Sequence, residues 1–304
     1  MNDFHKNNTY LPVVIITFIF GLGGWCYPGF LASIQYPLLG LLVLFIGLPH
    51  GATDFLLFRR LCGPVLSKKQ VLKFFLFYLS AVFGYLAFWS FYPAPALILF
   101  IILSAYHFGQ SNWPYLSASR WLTGLIHVAW GAFVLGGALL WHWDESSVII
   151  QQLVGHIPLW SSQMMQNIQW TLLLFNILLL LGLQFSGHIS HRQLFREMIT
   201  LSVLSFMLLN TPLLVGFAVY FSIWHSFASL LDQMVLFRRQ WPSFSLVNYY
   251  QQAAPYTLLA LTGLLVLILL QSFIFSDISL ISLFFVLLAC ITLPHIFLME
   301  EVYR

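Results

Sequence analysis

Four histidines lie inside long apolar stretches of the sequence, namely His50, His107, His225 and His295. Ionisable side chains are costly in such surroundings, and those that occur usually line a cavity, a pathway or a cofactor site. Each of the four precedes an arginine by either 9 or 13 residues, which would place all four imidazoles at one depth in a membrane. Several imidazoles without a thiolate are typical of a non-haem metal site. They predict such a site if they face one another, although a single intramembrane histidine more often serves helix packing.

Three further side chains extend this pattern. His127 reaches a similar depth from the opposite direction and is a possible additional ligand. Asp54 follows His50 by four residues, so we expect its carboxylate to orient that imidazole by accepting its second N–H. Asp232 lies seven residues after His225 and is interpreted either as a similar partner or as an interfacial charge.

Prolines directly precede two of the histidines, at Pro49 and Pro294. A proline inside a helix removes one N–H and frees the carbonyl four residues earlier, here that of Phe45 and that of Cys290. We therefore expect two kinked helices that widen a cavity at the depth of the histidines.

The composition identifies the elements that must hold these residues. Of the 304 residues, 60% are hydrophobic and 7% are charged, and the mean hydropathy is +0.88. A water-soluble globule is excluded, since an ordinary soluble domain is roughly a quarter charged. The net charge is only +3 and the sequence contains no long basic block, so nucleic acid is not an expected partner. The three cysteines lack C-x-x-C spacing, which indicates neither a disulfide framework nor a thiolate metal site.

Apolar windows of the length that a bilayer requires, roughly 20 residues, recur along the chain. We predict an all-α, polytopic transmembrane helix bundle of about ten helices, forming a single integral domain over 1–304 in the cell (inner or plasma) membrane. The start is interpreted as a first helix, since no cleavage site of a removed signal follows it. The weakest span is the seventh, because Asn210–Pro212 is either a turn between two helices or a kink in one. The predicted spans are 11–27, 36–58, 74–92, 95–113, 121–141, 167–186, 197–210, 212–236, 256–275 and 278–299.

Basic residues test this count, because cytoplasmic loops collect Lys and Arg. When the connections are numbered in order, all 12 basic residues fall on one side, together with both termini. The opposite loops carry only the acidic residues Asp144, Glu145 and Asp277. We therefore predict that both termini are cytoplasmic. An amphipathic segment is expected at the outer interface within 142–166. The basic residues are Lys6, Arg59, Arg60, Lys68, Lys69, Lys73, Arg120, Arg192, Arg196, Arg238, Arg239 and Arg304.

Four local strings, in order along the chain, carry a family resemblance. They are GLPHGATD at 47–54, AYHFGQSN at 105–112, YFSIWHS at 220–226 and LPH at 293–295. Together they resemble the Brp/Blh family of membrane β-carotene 15,15'-dioxygenases. The resemblance implies oxidative cleavage of the central double bond of β-carotene by O2 into two molecules of retinal, at iron (Fe²⁺) held by histidines. It implies no catalytic residue beyond the metal site.

The family pattern places iron on His50, on His107 and on an H-x-x-x-H pair in a later helix. His225 matches the first member of that pair, whereas the second falls on Ser229. The resemblance thus implies a set of three histidines, a set completed by His295 or His127, or a weakened metal site. The aspartate usual after the second string is Asn112 here. Asn112 and Ser229, like Asp54 and Asp232, are therefore expected beside the ligands.

An apolar polyene would enter such a site from the bilayer through a tunnel between helices. Four aromatic residues beside the histidines are candidates for its wall, although packing is the commoner role of such residues. Three other functions also use intramembrane histidines. A desaturase would show histidine boxes that are absent here, a haem-b electron carrier would need facing histidine pairs, and a proton-coupled transporter could use Asp54, His50 and His225 as a relay. The transporter, or proton relay, is the main alternative. The four aromatic residues are Tyr106, Phe108, Phe221 and Trp224.

Overall fold

The computed structural model describes residues 9–63, 65–113, 116, 118–274 and 278–303, and within them the protein is helical without a β-strand. Three residues of the charge pattern, Lys6, Asp277 and Arg304, lie outside the described residues. Two short π-helical segments, Val43–Gly47 and Tyr220–Ser226, interrupt the α-helices. The α-helices are α1 Tyr10–Cys26, α2 Pro28–Leu42, α3 Leu48–Gly51, α4 Asp54–Cys62, α5 Lys68–Phe91, α6 Pro93–Asn112, α7 Arg120–Leu140, α8 Trp143–Val154, α9 Ser162–Phe185, α10 His191–Asn210, α11 Leu213–Val219, α12 Phe227–Gln240, α13 Leu246–Ile274 and α14 Leu280–Tyr303.

Every predicted span coincides with a helical stretch, which confirms an all-α polytopic bundle. Within the described residues, eight stretches are long and apolar enough to cross a membrane. The first predicted span is the shorter apolar helix α1, of 17 residues. The seventh is α10, whose first turns carry Arg192, Arg196 and Glu197. The eight stretches are Pro28–Cys62, Lys68–Phe91, Pro93–Asn112, Arg120–Leu140, Ser162–Phe185, Leu213–Gln240, Leu246–Gln271 and Leu280–Val302.

Two connections between neighbouring helices are short. The second stretch begins at Pro28, not at residue 36, because Pro28 occupies the first position of a helix and only Tyr27 separates α1 from α2. Asn210 ends α10, and Thr211 and Pro212 have extended ψ angles of 151° and 149° before α11 begins. Of the two interpretations left open there, the turn between two helices is correct. The predicted amphipathic segment contains α8.

The chain forms two compact units, and the prediction of a single integral domain stays a prediction. The first unit draws on Met1–Val43, Ser104–Ser147 and Pro158–Ala228. Within it α1 packs along α10, α9 along α7, and α11 against α2. Buried amides tie α9 to α7, since Gln169 Nε2 donates to the Phe133 carbonyl at 2.9 Å and Asn176 Nδ2 to that of Ala129 at 3.0 Å. Such bonds hold helices together where lipid offers no hydrophobic driving force.

The second unit draws on Leu44–Leu103, Val148–Ile157 and Ser229–Arg304. Within it α14 packs along α5, and α13 packs against α3 and α14. A buried apolar cluster that includes Tyr85, Trp89, Leu283 and Val286 fills the space between α5 and α14. The helix starts follow sequence signals: Ser67 and Gln70 form a reciprocal capping box at the start of α5.

Candidate metal centre

In the first unit, His107 of α6 and His225 of the second π-helical segment lie against each other. Their ring centroids are 4.8 Å apart and the ring planes are nearly perpendicular, at 76°. Both side chains are buried. Phe108 and Phe221 also lie beside His225, with centroids 4.7 Å and 6.0 Å from its ring, and Phe221 is stacked on it. The shared depth predicted from the spacing therefore corresponds to a direct contact between two histidines distant in sequence.

A hydroxyl group orients His225. Nδ1 of His225 lies 3.0 Å from Ser111 Oγ, and this hydroxyl donates its own hydrogen to the Phe108 carbonyl at 2.9 Å. With the single Ser111 hydrogen given to this carbonyl, the hydroxyl accepts from the ring, and Nδ1 carries the proton. The lone pair of His225 is then on Nε2, and this nitrogen is the one that can ligate a metal.

Helix α6 reaches this position because glycines let α7 approach it closely. A Cβ at Gly109 would collide with the backbone of His127, and a Cβ at Gly131 would collide with the backbone of Ala105. Small residues of this kind are typical of close helix contacts in membranes. His127 itself packs edge-on against Tyr106, with a centroid separation of 5.4 Å.

In the second unit, His50 follows a π-helical segment and Pro49. Tyr250 of α13 donates a hydrogen bond of 2.9 Å to the Phe45 carbonyl, which is the carbonyl that Pro49 was predicted to free. Nδ1 of His50 lies 2.5 Å from the Gly47 carbonyl. A carbonyl can only accept, so Nδ1 carries the proton and Nε2 the lone pair, as in His225.

The backbone on the C-terminal side of His50 is held by Gln233, a residue that the sequence patterns did not indicate. Gln233 Nε2 donates to the His50 carbonyl at 3.1 Å, and its Oε1 accepts from Thr53 Oγ1 at 2.8 Å and from the Tyr249 hydroxyl at 2.7 Å. Gln233, Thr53 and Tyr249 are all buried. The amide thus connects α12 and α13 to the turn after His50 through satisfied polar groups.

Asp54 has a different partner from the one predicted. Its Oδ1 accepts from Nδ1 of His295 at 2.7 Å, and its Oδ2 accepts from the Tyr78 hydroxyl at 2.9 Å. The expected contact with His50 assumed one continuous helix, whereas α3 ends at Gly51 and α4 begins at Asp54. The ring of His295 instead lies beside that of His50, with centroids 5.0 Å apart and planes at 87°.

Each of the two units contains a pair of buried imidazoles in contact. The pair is His107 and His225 in the first unit and His50 and His295 in the second. Imidazole donors without a thiolate suit iron, zinc, copper or nickel. His127 is also buried, in the first unit.

The remaining predicted residues occupy several places. Ser229 and Asp232 are buried in α12, and Ser229 Oγ has no hydrogen-bond partner among the described residues. Asn112 donates to Glu197 at 3.3 Å. Glu197 is a buried carboxylate, 3.3 Å from Arg196, that the sequence patterns also did not indicate.

Of the four candidate aromatic residues, three lie against histidines. Phe108 and Phe221 contact His225, and Tyr106 contacts His127. Trp224 is held elsewhere, because its indole N–H donates to Thr17 Oγ1 of α1 at 2.7 Å.

Comparisons with known proteins agree with the geometry. A family model described as Beta-carotene 15,15'-dioxygenase matches residues 41–303. The chain is also similar to a curated protein named Beta-carotene 15,15'-dioxygenase from uncultured marine bacterium 66A03, at 30% identity over 86 residues. That alignment covers 25% of this chain and 31% of the relative, so the match spans less than a third of the relative's length. No solved structure matches the chain.

Proposed function

Because the chain belongs to the β-carotene 15,15'-dioxygenase family, we propose that it cleaves the central 15,15' double bond of β-carotene, or of a related carotenoid. One O2 would supply the oxygen atoms of two aldehydes, so that each β-carotene gives two molecules of retinal. The observation that carries this proposal is the contact between the buried histidines His107 and His225, whose ring centroids are 4.8 Å apart. The family pattern adds His50 to this pair.

These three histidines are proposed to hold iron. Neutral imidazole ligands leave coordination positions open on such a metal, and the chemistry that iron supplies when bound is the activation of O2. The donor set fits, since the Nδ1 contacts of His50 and His225 leave Nε2 of each ring as the ligand nitrogen. His295, beside His50, is proposed as a fourth ligand. It would take the place of the second histidine of the family's H-x-x-x-H pair, which is Ser229 in this chain. His127 is the alternative.

The residues of the chain would bind and orient the substrate and exclude water. β-Carotene partitions into the bilayer, so a lateral entrance between helices would deliver it without passage through water. Phe108 and Phe221, on the ring of His225, and Tyr106 are proposed to line its path. Trp224 would act indirectly, by anchoring the π-helical segment to α1. Placing the central bond by shape is the main task, and no general acid or base is required.

The test is expression in a bacterial host that accumulates β-carotene, whose inner membrane is the expected location of the multi-pass chain. Carotene loss and retinal gain are followed by chromatography, with His225→Ala as the matched inactive control. Retinal from the wild type alone supports the proposal. Equal retinal from both proteins would remove His225 from the ligand set. No retinal from a well-expressed, iron-replete wild type would contradict carotene cleavage and favour the transporter alternative.

A further inference from the structure

Beside His50, the second unit contains a chain of hydrogen-bonded polar side chains that the proposed reaction does not require. It consists of Tyr78 on α5, Asp54 on α4 and His295 on α14. Asp54 is 3% exposed and His295 is 5% exposed, so neither is a surface charge. A carboxylate is expensive to bury, and one buried where an aliphatic side chain would pack needs a reason.

Asp54 has both oxygens occupied, each by a group on a different helix. Oδ1 lies 2.7 Å from Nδ1 of His295, and Oδ2 lies 2.9 Å from the Tyr78 hydroxyl. With the tyrosine hydrogen given to one oxygen, the other is left as the acceptor for the imidazole. The carboxylate thereby keeps the proton of His295 on Nδ1 and the lone pair on Nε2.

This is the arrangement by which carboxylates orient metal-binding histidines in proteins. It occurs on the ring that lies 5.0 Å, between centroids, from a histidine of the candidate centre. The other two oriented rings use weaker, neutral acceptors, the Gly47 carbonyl for His50 and the Ser111 hydroxyl for His225. A carboxylate partner makes an imidazole a stronger donor to a metal than a neutral partner does.

We propose that Asp54 is a positioning residue that, with Tyr78, prepares His295 as a ligand of the metal held by His50. The inference rests on the proposed function for the existence of that metal. It assigns to α5 and α14 a part in metal binding, and it explains why a chain with Ser229 at the usual position of a histidine keeps a buried carboxylate in this unit. Tyr78 acts through Asp54, and Asp54 acts through His295.

The test measures metal affinity instead of turnover. The purified full-length protein in detergent is titrated with cobalt(II), followed by visible absorption, against a competing chelator. Asp54→Asn and His295→Ala are expected to weaken binding by about 10- to 100-fold, the usual effect of losing an outer partner or a ligand. Tyr78→Phe should weaken it by about tenfold, because the carboxylate then loses its second donor.

Tyr85→Phe is the matched control for Tyr78→Phe. Tyr85 lies on the same helix, is buried, and donates to the Ala96 carbonyl at 2.7 Å, away from Asp54. Its loss should leave the cobalt affinity within about twofold of the wild type, whatever it does to stability. Thermal unfolding of the metal-free proteins identifies variants that do not fold, and Tyr78→Phe tests the inference if Asp54→Asn is one of them.

The outcomes separate the inference from the proposed function. If His50→Ala abolishes cobalt binding while His295→Ala and Tyr78→Phe bind as the wild type does, the inference is wrong and the histidine centre stands. If the wild type does not bind cobalt, both are wrong. If binding follows the expected order but no carotenoid is cleaved, the inference stands and the proposed reaction does not.

Discussion

At the scale of single residues, three buried imidazoles have Nδ1 directed to an acceptor. The acceptors are a carbonyl for His50, a hydroxyl for His225 and a carboxylate for His295. Different chemistry therefore gives the same tautomer three times, with the lone pair on Nε2. Metal-ligating histidines in proteins commonly donate their second N–H to such an acceptor.

Ser229→His tests the remaining ligand position. Ser229 is 1% exposed, and its hydroxyl has no hydrogen-bond partner among the described residues. Replacing the hydroxyl with an imidazole therefore breaks no hydrogen bond made by that oxygen. We expect the variant to tighten cobalt binding by about tenfold or more and to preserve or raise retinal formation. Loss of both, in a protein that unfolds at the wild-type temperature, would show that position 229 does not face the metal.

At the scale of helices, the site depends on close approach and on irregular turns. Gly109 and Gly131 let α6 and α7 touch backbone to backbone beside His107. The first π-helical segment ends three residues before His50, and the second contains His225. Such segments carry one extra residue per turn and often occur at functional sites, because they re-aim the side chains that follow.

Gly131→Ala tests the close approach. The new methyl group would collide with the Ala105 backbone, which cannot move as a side chain can. We expect a loss of about 1–3 kcal/mol in the free energy of unfolding, or more. Gly124→Ala on the same helix is the control, since nothing lies within 4 Å of its added Cβ. The stability of both variants is measured by chemical or thermal unfolding in detergent. Equal stability of the two variants would contradict a required close approach.

These elements show what the sequence could and could not predict. Pro49 predicted a freed carbonyl at Phe45, and the Tyr250 hydroxyl bonds to it, because proline chemistry is local. The π-helical segments were not predicted. Hydrophobic periodicity does not distinguish a π-helical turn, whose hydrogen bonds join residues five apart, from an α-helical turn, whose hydrogen bonds join residues four apart. The partner of Asp54 was predicted wrongly because the helix breaks between Gly51 and Asp54. Gln233, Ser111 and Tyr78 were missed because their roles depend on helices distant in sequence.

For the molecule as a whole, composition predicted the fold class because a helix satisfies its backbone hydrogen bonds within itself, as so uniformly apolar a chain requires inside a bilayer. The ten predicted spans correspond to helical stretches, including α10, whose charges set it apart. The orientation of the chain stays a prediction, since it comes from the distribution of Lys and Arg.

Labelling of single cysteines checks that orientation. Cys26 ends α1 and Cys62 ends α4, and both side chains are exposed, while Cys290 is buried. With cytoplasmic termini, an impermeant maleimide should label Cys26 from outside and Cys62 only after the membrane is opened. Variants that keep one of the two thiols separate the signals. Labelling of Cys62 in intact cells would reverse the predicted orientation.

We propose that His50, His107 and His225 together hold the iron that cleaves a carotenoid. The most direct test measures iron per chain and retinal formed per β-carotene in the purified protein and in the three single alanine variants. His188→Ala, at an exposed histidine, serves as the control. For the wild type and the control, we expect one iron per chain and two retinal molecules per β-carotene. In each of the three variants, we expect loss of both the iron and the retinal. Full iron content and full retinal yield in any of the three would contradict the claim.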